Sequence, residues 1–305
     1  MRIGIFGGET GQGVGGIDEL VKLVHEVADQ GFSSYWAAQI FGTDALTALA
    51  VAGHQVPGIE LGTSVIPTYP RHPLMLASQA LTVQSAIGDR LALGVGLSHQ
   101  VVIEQMFGLS YEKPVRHMRE YLTVLRSVFD DRNVQFKGES MSAAAPSTVA
   151  REVPTPRVLV AALGTQMLNV TGRLADGTIT WMTGPATLSE HTVPTLKSAT
   201  AAAGRPEAFR VVAGFPVCVT DDADAARERA AGVFAIYGQL PSYRAMLDRE
   251  GAAGPADVAI VGDEKTVAAG IERIIEAGAT DFLAAEFGST QEERTRTREL
   301  LRSLL

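Results

Sequence analysis

The sequence predicts an α/β chain folded as one (β/α)₈ TIM barrel over residues 1–305, with an insertion after the fourth strand–helix unit at about 131–157. Three observations predict it. Short apolar runs without polar alternation, as in strands covered on both faces, recur along the whole chain. Each is followed by a stretch whose apolar residues return every three or four positions, the spacing of one helix face. Such pairs reach eight within 305 residues, a length that one barrel commonly fills. An open doubly wound sheet would instead carry G-x-G-x-x-G at its first turn and an acidic residue at the end of its second strand. The glycine-rich stretch from Gly7 to Gly16 lacks that order, and the second run leads into Gln39.

Taken in order, RIGIF at 2–6 is the first strand. Ile17, Leu20, Val21, Val24 and Ala28 mark the first helix, ended by Gly31. SSYWAA precedes a helix near 44–53, and IELGTSVI precedes one starting at Pro73, where proline suits the first turn. RLALGVGL leads to a long helix with Val115, Met118, Leu122, Leu125 and Phe129 on one face. The pattern then lapses: NVQFKGESMS reads as a hairpin, and AAAPSTVAREVPTP as an irregular excursion. The cycle resumes with RVLVAAL and a helix over 166–175, then DGTITWM and a helix ending before Gly204. FRVVAGFPVCV precedes helices over about 222–250. A helix capped by Asp263 and stopped at Gly278 leads to TDFLAAE and a terminal helix.

Composition narrows the function. The 26 Lys and Arg are scattered on a chain of net charge −8, so no basic stripe exists to track a phosphate backbone, and nucleic acid is not an expected partner. No run of about 18 uncharged apolar residues is present, and the amino terminus does not resemble a signal peptide. No membrane association and a cytoplasmic location are therefore expected. Cys218, the one cysteine, fits a reducing compartment and is no basis for a metal or redox site. No His, Asp and Glu spacing resembles a metal site.

In a barrel the functional groups come from the carboxyl ends of the strands. That selects Gly7–Gly16, Trp36–Gln39, Ser64–Ile66, Gly96–His99, Leu163–Gln166 and Trp181–Gly184. Six glycines among residues 7–16 suit a mobile lid. Gly164, Thr165 and Gln166 stand where a strand hands over to a helix; anion binding by free amides and ordinary capping by Thr165 fit that turn equally. His99 is the residue best suited to donate or accept a proton near neutrality. Arg71 and His72 could meet an anionic ligand tail. Glu9, Asp44 and Tyr69 are further substrate-side candidates.

Together, GDRLALGVG at 88–96, LGTSVIPTYPRHP at 61–73 and GTQMLNVTGRLADGTITWMTGP at 164–185 resemble the luciferase-like monooxygenase superfamily, in particular its actinobacterial deazaflavin-dependent oxidoreductases. The resemblance covers nearly the whole chain. It implies a non-prolyl cis peptide at Ser64–Val65 backing a tricyclic ring, and a ring and ribityl lining from Gly96, Leu97, Ser98 and His99. It also implies a phosphate-binding turn at Gly164, Thr165 and Gln166, and a strand end near the cofactor at Trp181 and Met182. Trp36 and Gln39 fall where the family places groups beside the reacting face. Gln39 can orient a carbonyl or imine but cannot serve as a general base. The chain departs from the sugar-phosphate dehydrogenase branch, which has an acidic residue followed by histidine where Gln39 and Ile40 stand here and a glutamate after the fourth strand. The implied cofactor is coenzyme F420, with FMN as the alternative, and the implied reaction is hydride transfer between the cofactor and a small organic substrate, as a reductase of an imine, alkene or carbonyl or as a dehydrogenase. An FMN monooxygenase and a non-catalytic flavin-binding barrel are the other readings. A homodimer or larger homo-oligomer is expected from the resemblance.

Overall fold

The computed structural model describes residues 1–9, 16–146, 152–205 and 209–305. Eight parallel strands close a ring: Arg2–Glu9 (β1), Ser34–Ala38 (β2), Glu60–Thr63 (β3), Leu91–Gly96 (β4), Arg157–Ala161 (β5), Gly177–Trp181 (β6), Arg210–Val219 (β7) and Asp281–Glu286 (β8). Each pairs with its neighbours in chain order. Closure comes from β1 against β8, with Arg2 opposite Asp281. The expected eight-stranded barrel is therefore the fold. Every residue of β2, β4 and β7 is buried, because helices cover the outer face and side chains fill the inner one.

The outer layer comprises helices Ile17–Asp29 (α1), Ala45–Gln55 (α2), Pro73–Ala86 (α3), Pro114–Arg126 (α4), Thr165–Leu174 (α5), Val193–Ala202 (α6), Ala223–Val233 (α7), Pro241–Glu250 (α8), Glu264–Glu276 (α9) and Gln291–Ser303 (α10). Local chemistry starts them. Asp44, Asp222, Asp263 and Thr290 accept first-turn amides of α2, α7, α9 and α10, each cap worth about 1 kcal/mol. Pro73 opens α3 as expected, with the His72 ring accepting the Leu74 amide. Gly278, at φ 102°, lets the chain leave α9 in a conformation that side chains disfavour.

Two short elements were not legible in the sequence. Ile66–Pro67 adds to the end of β4, and Ile260–Gly262 lies beside the end of β7. Segments of two and three residues carry no periodicity to read.

The expected insertion contains an antiparallel hairpin, Val134–Lys137 with Ser142–Ala145. Glu120 on α4 clamps its turn, accepting the amides of Glu139, Ser140 and Met141 at 3.0, 2.8 and 3.2 Å. Burial pushes this carboxyl's pKa up, but the three amides hold it below the ordinary value. Residues 147–151 of the excursion lie outside the described residues, as do residues 10–15 of the expected lid.

Inside, the barrel is closed at its amino-terminal end by charge. Arg210 bonds Asp281 at 2.5 and 3.3 Å and Glu60 at 2.9 and 3.1 Å, while Arg2 reaches the same two carboxylates at 2.8 and 3.3 Å. Above this floor Trp36, Ala92, Leu159, Ile179, Val212 and Leu283 pack as one cluster. Trp36 fits because Gly62 faces it: a Cβ there would stand 2.2 Å from the indole. Cys218 is buried against Ala226 and Val261 on the outer side. Among the described residues, no helix is long and apolar enough to cross a membrane.

Candidate functional site

With the floor closed and the middle layer filled, the open end of the barrel is the carboxyl-terminal mouth, and there the strand ends are unequal. On one side Val65, Gly96 and Ala161 lie together as a low shelf. A Cβ on Gly96 would meet Val65 Cγ2 at 2.7 Å and Ala161 Cβ at 3.1 Å, so the shelf can be this flat only with glycine in the middle. The Ser64–Val65 peptide is cis, as the resemblance implied, and the Ser64 amide donates to the Ala37 carbonyl at 2.8 Å. On β1 and at the end of β6 the mouth carries aromatic rings. Phe6 and Trp181 have centroids 5.5 Å apart, and Gly214 leaves room for the indole, a Cβ there falling 3.0 Å from it.

That wall continues beyond the barrel. Trp181 meets Phe234 at 5.9 Å and Tyr237 at 6.1 Å; Tyr237 meets Tyr243 at 4.9 Å; Tyr243 meets His99 at 6.0 Å. His99 and Trp181, on the segments ending β4 and β6, are thus bridged by rings from the short helix Ala235–Gln239 and from α8. The His99 backbone carbonyl accepts the Val102 and Ile103 amides at 2.9 Å each and begins the π-helical turn Val102–Met106. Its imidazole is left to face Tyr243. Burial lowers the imidazole pKa, so the ring is neutral at pH 7.

Beyond Ala161, Gly164 starts α5 without a side-chain cap, and Gly164, Thr165 and Gln166 are all exposed. Gly164 has no side chain to cap the turn, so Thr165 is the first helical residue instead of the cap, and the first-turn amides stand at the dipole's positive end. His191 fixes the preceding residue, its Nε2 lying 2.9 Å from the Leu163 carbonyl oxygen.

Other expected residues are placed elsewhere. Trp36 is corrected from a catalytic candidate to a core residue: it is 1% exposed and its indole N–H donates to Ser34 Oγ at 2.8 Å, leaving no face for a ligand. Met182 is corrected likewise. Its φ of 51° turns the side chain away into a cluster with Leu247 and Val258, where it is 2% exposed. Gln39 is half-buried, and its carbonyl oxygen caps α2 by accepting the Ala45 amide at 2.8 Å. Leu97 packs against the main core, and Ser98 (φ 60°) offers its carbonyl to the Tyr111 hydroxyl at 3.4 Å.

Arg71 is engaged by Asp44 at 2.7 Å and Gln79 at 2.7 Å, and His72 caps α3, so neither is poised for a ligand tail. Tyr69 stacks on His117 at 3.9 Å, and burial lowers the His117 pKa to about 4. Glu9 belongs to β1, and its side chain lies outside what is described. Residues that sequence reasoning missed are Phe6, Ala161, Gly214, Tyr237 and Tyr243. Alternation along β1 and a glycine within β7 signal two of them. Nothing local signals the tyrosines, whose place depends on where α8 docks.

Comparison with known proteins identifies the family and the fold. The family model for the luciferase-like monooxygenases matches residues 1–299. An uncharacterized protein of Mycobacterium tuberculosis is 31% identical over 72% of this chain and 68% of its own length. A 5,10-methylenetetrahydromethanopterin reductase of Archaeoglobus fulgidus is 27% identical over 76% of this chain and 70% of its own. A putative coenzyme F420-dependent oxidoreductase of M. tuberculosis is 34% identical over 42% of this chain and 35% of its own. Among solved structures, the coenzyme F420-dependent tetrahydromethanopterin reductase of Methanopyrus kandleri superposes with a TM-score of 0.82 at 22% identity, covering 99% of this chain and 97% of that one. An FMN complex of the oxygenating constituent of 3,6-diketocamphane monooxygenase from Pseudomonas putida does so with a TM-score of 0.75 at 17% identity, covering 99% and 96%. These likenesses show the same fold. The chain belongs to the luciferase-like monooxygenase family.

Proposed function

We propose that the protein is an oxidoreductase that binds coenzyme F420 in the barrel mouth and moves a hydride between it and a small organic substrate. One observation carries this reading: the flat shelf of Val65, Gly96 and Ala161 leads, along the end of β5, to the uncapped first turn of α5 at Gly164–Gln166. A planar ring with a phosphate-bearing tail needs such a combination, apolar and flat at one end and rich in free amides at the other. The residues present therefore fit a flavin or deazaflavin. The putative coenzyme F420-dependent oxidoreductase and the coenzyme F420-dependent reductase of known structure named above favour the deazaflavin.

When bound, the cofactor supplies a carbon centre that gives or takes two electrons as hydride. The protein's own part is placement and proton handling. Val65, Gly96 and Ala161 would support the ring, and Trp181 and Phe6 would confine it at the neighbouring aromatic wall. The amides of Thr165 and Gln166, with the Thr165 hydroxyl, would hold the phosphate. His99, neutral at pH 7, can accept a proton from an alcohol at its free ring nitrogen as hydride leaves the substrate, and in the reverse direction the imidazolium form would return that proton to the reduced product. The Gln39 amide NH₂, its carbonyl being tied to α2, remains available to orient a carbonyl oxygen.

Equilibrium titration of the purified protein with F420 and, in parallel, with FMN tests the reading. Micromolar or tighter F420 binding with weak FMN binding is expected. Preference for FMN would replace the proposal with an oxygen-using monooxygenase, and binding of neither would refute both.

A further inference from the structure

The aromatic wall of the mouth has a composition that bears on the substrate. His99, Tyr243, Tyr237, Trp181 and Phe6 follow one another ring to ring across the mouth, with centroid separations of 6.0, 4.9, 6.1 and 5.5 Å. Its outer part is anchored. Glu250, at the end of α8, accepts the Ala186 amide at 3.2 Å, the Thr187 amide at 2.8 Å and the Thr187 hydroxyl at 2.9 Å. Met246 and Leu247 on the same helix are buried. Tyr243 is thus held by a helix tied to the segment that follows β6.

Polar groups in this wall are neutral donors. Burial raises the pKa of both Tyr237 and Tyr243, so their hydroxyls stay protonated, and burial lowers that of His99, so its ring stays uncharged. The charged side chains of α8 that are not fully exposed are occupied elsewhere. Glu250 is used as just described, and Arg244 binds Asp248 at 2.8 Å and the carbonyls of Ala252 and Ala253 at 2.6 and 2.8 Å. Arg71, across the mouth, is spent on Asp44. Against this wall, as far as the described residues form it, an anionic substrate would therefore give up water and find neutral rings and hydroxyls in return. A neutral planar one would stack on the rings and receive a hydroxyl hydrogen bond.

We propose that Tyr243, with Tyr237, forms the substrate-side wall of the mouth and selects uncharged planar carbonyl or enone compounds over anionic ones. This rests on the oxidoreductase reading above. The cofactor's phosphate is a separate matter, because it is assigned to the turn at Gly164.

The test uses 2-cyclohexen-1-one and its carboxylated analogue 3-oxocyclohex-1-ene-1-carboxylate as probes against the whole protein, alone and with F420. Binding is read by saturation-transfer NMR and by tryptophan fluorescence, in which Trp181 reports the wall because Trp36 is sealed in the core. Turnover is read separately with reduced F420. The neutral probe is expected to bind at least ~10-fold more tightly than the carboxylate. Tyr243→Phe should weaken the neutral probe ~5–10-fold, the loss of one hydrogen bond, raising KM with little change in kcat. Tyr243→Lys should bring the carboxylate level with the neutral probe or ahead of it. A wild-type preference for the carboxylate, no binding of either probe, or affinities unmoved by both substitutions in folded protein would overturn the proposal. Binding that follows these expectations without turnover would sink the F420 reading and leave the wall standing. Turnover indifferent to Tyr243 would do the reverse.

Discussion

Replacing Arg210 with methionine removes the cation from the barrel floor while keeping most of the side-chain volume. Asp281, whose side chain is 4% exposed, would be left with Arg2, itself 49% exposed, and with the Thr280 hydroxyl at 2.6 Å. Glu60 would keep only the 3.3 Å contact with Arg2. Breaking a buried pair by removing one partner typically costs ~3–5 kcal/mol, mostly from the charge left behind. Unfolding entropy of ~2.1 cal/mol/K per residue over 305 residues gives ~0.6 kcal/mol/K, so the expected fall in Tm is ~5–8 °C.

The pH dependence adds a sign. Burial pushes Asp281 up, but Arg210, Thr280 and Arg2 hold its pKa below the ordinary carboxylate value. In the native protein its contribution is present above the unfolded pKa of ~3.9 and is lost only as pH falls through the lower folded value. Without Arg210 the carboxyl takes up a proton at higher pH. The gap between the two proteins should therefore be widest near pH 7 and narrow toward pH 4. Thermal unfolding followed by circular dichroism at several pH values measures both effects. A Tm change under 2 °C at pH 7, or a gap that widens in acid, would refute the account of the floor as a buried charge network.

Three further outcomes are expected. Gly164→Asp should raise Tm slightly while weakening F420 at least ~10-fold in a binding titration. Its φ of −76° suits any residue and no atom lies within 4 Å of the new Cβ, and the carboxylate would cap α5 and compete with phosphate; unchanged affinity would remove the turn from the site. His99→Gln should lower kcat ~10²-fold or more. Because the imidazole pKa is lowered, the wild-type rate of substrate oxidation, in which His99 acts as base, should be level from pH 7 to 8 and fall only in acid, and an oxidation rate rising through pH 7 would contradict a neutral His99. Glu120→Ala should speed amide exchange at residues 139–141 without changing ligand affinity, and unaltered exchange would mean that the hairpin turn holds without its clamp.

How much of this was legible in the sequence follows from the range of the interactions. Strand and helix order could be read because apolar spacing is local, and Asp263 or Pro73 mark helix starts by chemistry within four residues. The side of a strand that faces inward was also accessible, since alternation places Phe6 in the barrel. The fate of a residue at a strand end was less so. Trp36, in the middle of β2, and Met182, just past the end of β6, stand near the strand ends that carry function in this fold, yet Gly62 opens space for one and a positive φ turns the other outward. Both causes depend on partners or on a backbone angle that composition does not disclose. Tyr237 and Tyr243 were hidden for a stronger reason: their meeting with His99 spans more than a hundred residues and is set by how Glu250 docks on the segment after β6.

A closed floor makes the barrel a cup with one rim. On the proposed reading, cofactor and substrate would both enter and leave through the carboxyl-terminal mouth, and so share a doorway instead of using opposite ends. The deeper guest then arrives first and departs last. Steady-state kinetics should accordingly show compulsory order, with cofactor competing against cofactor product and substrate unable to bind productively beforehand. Random-order patterns would point to a second way in.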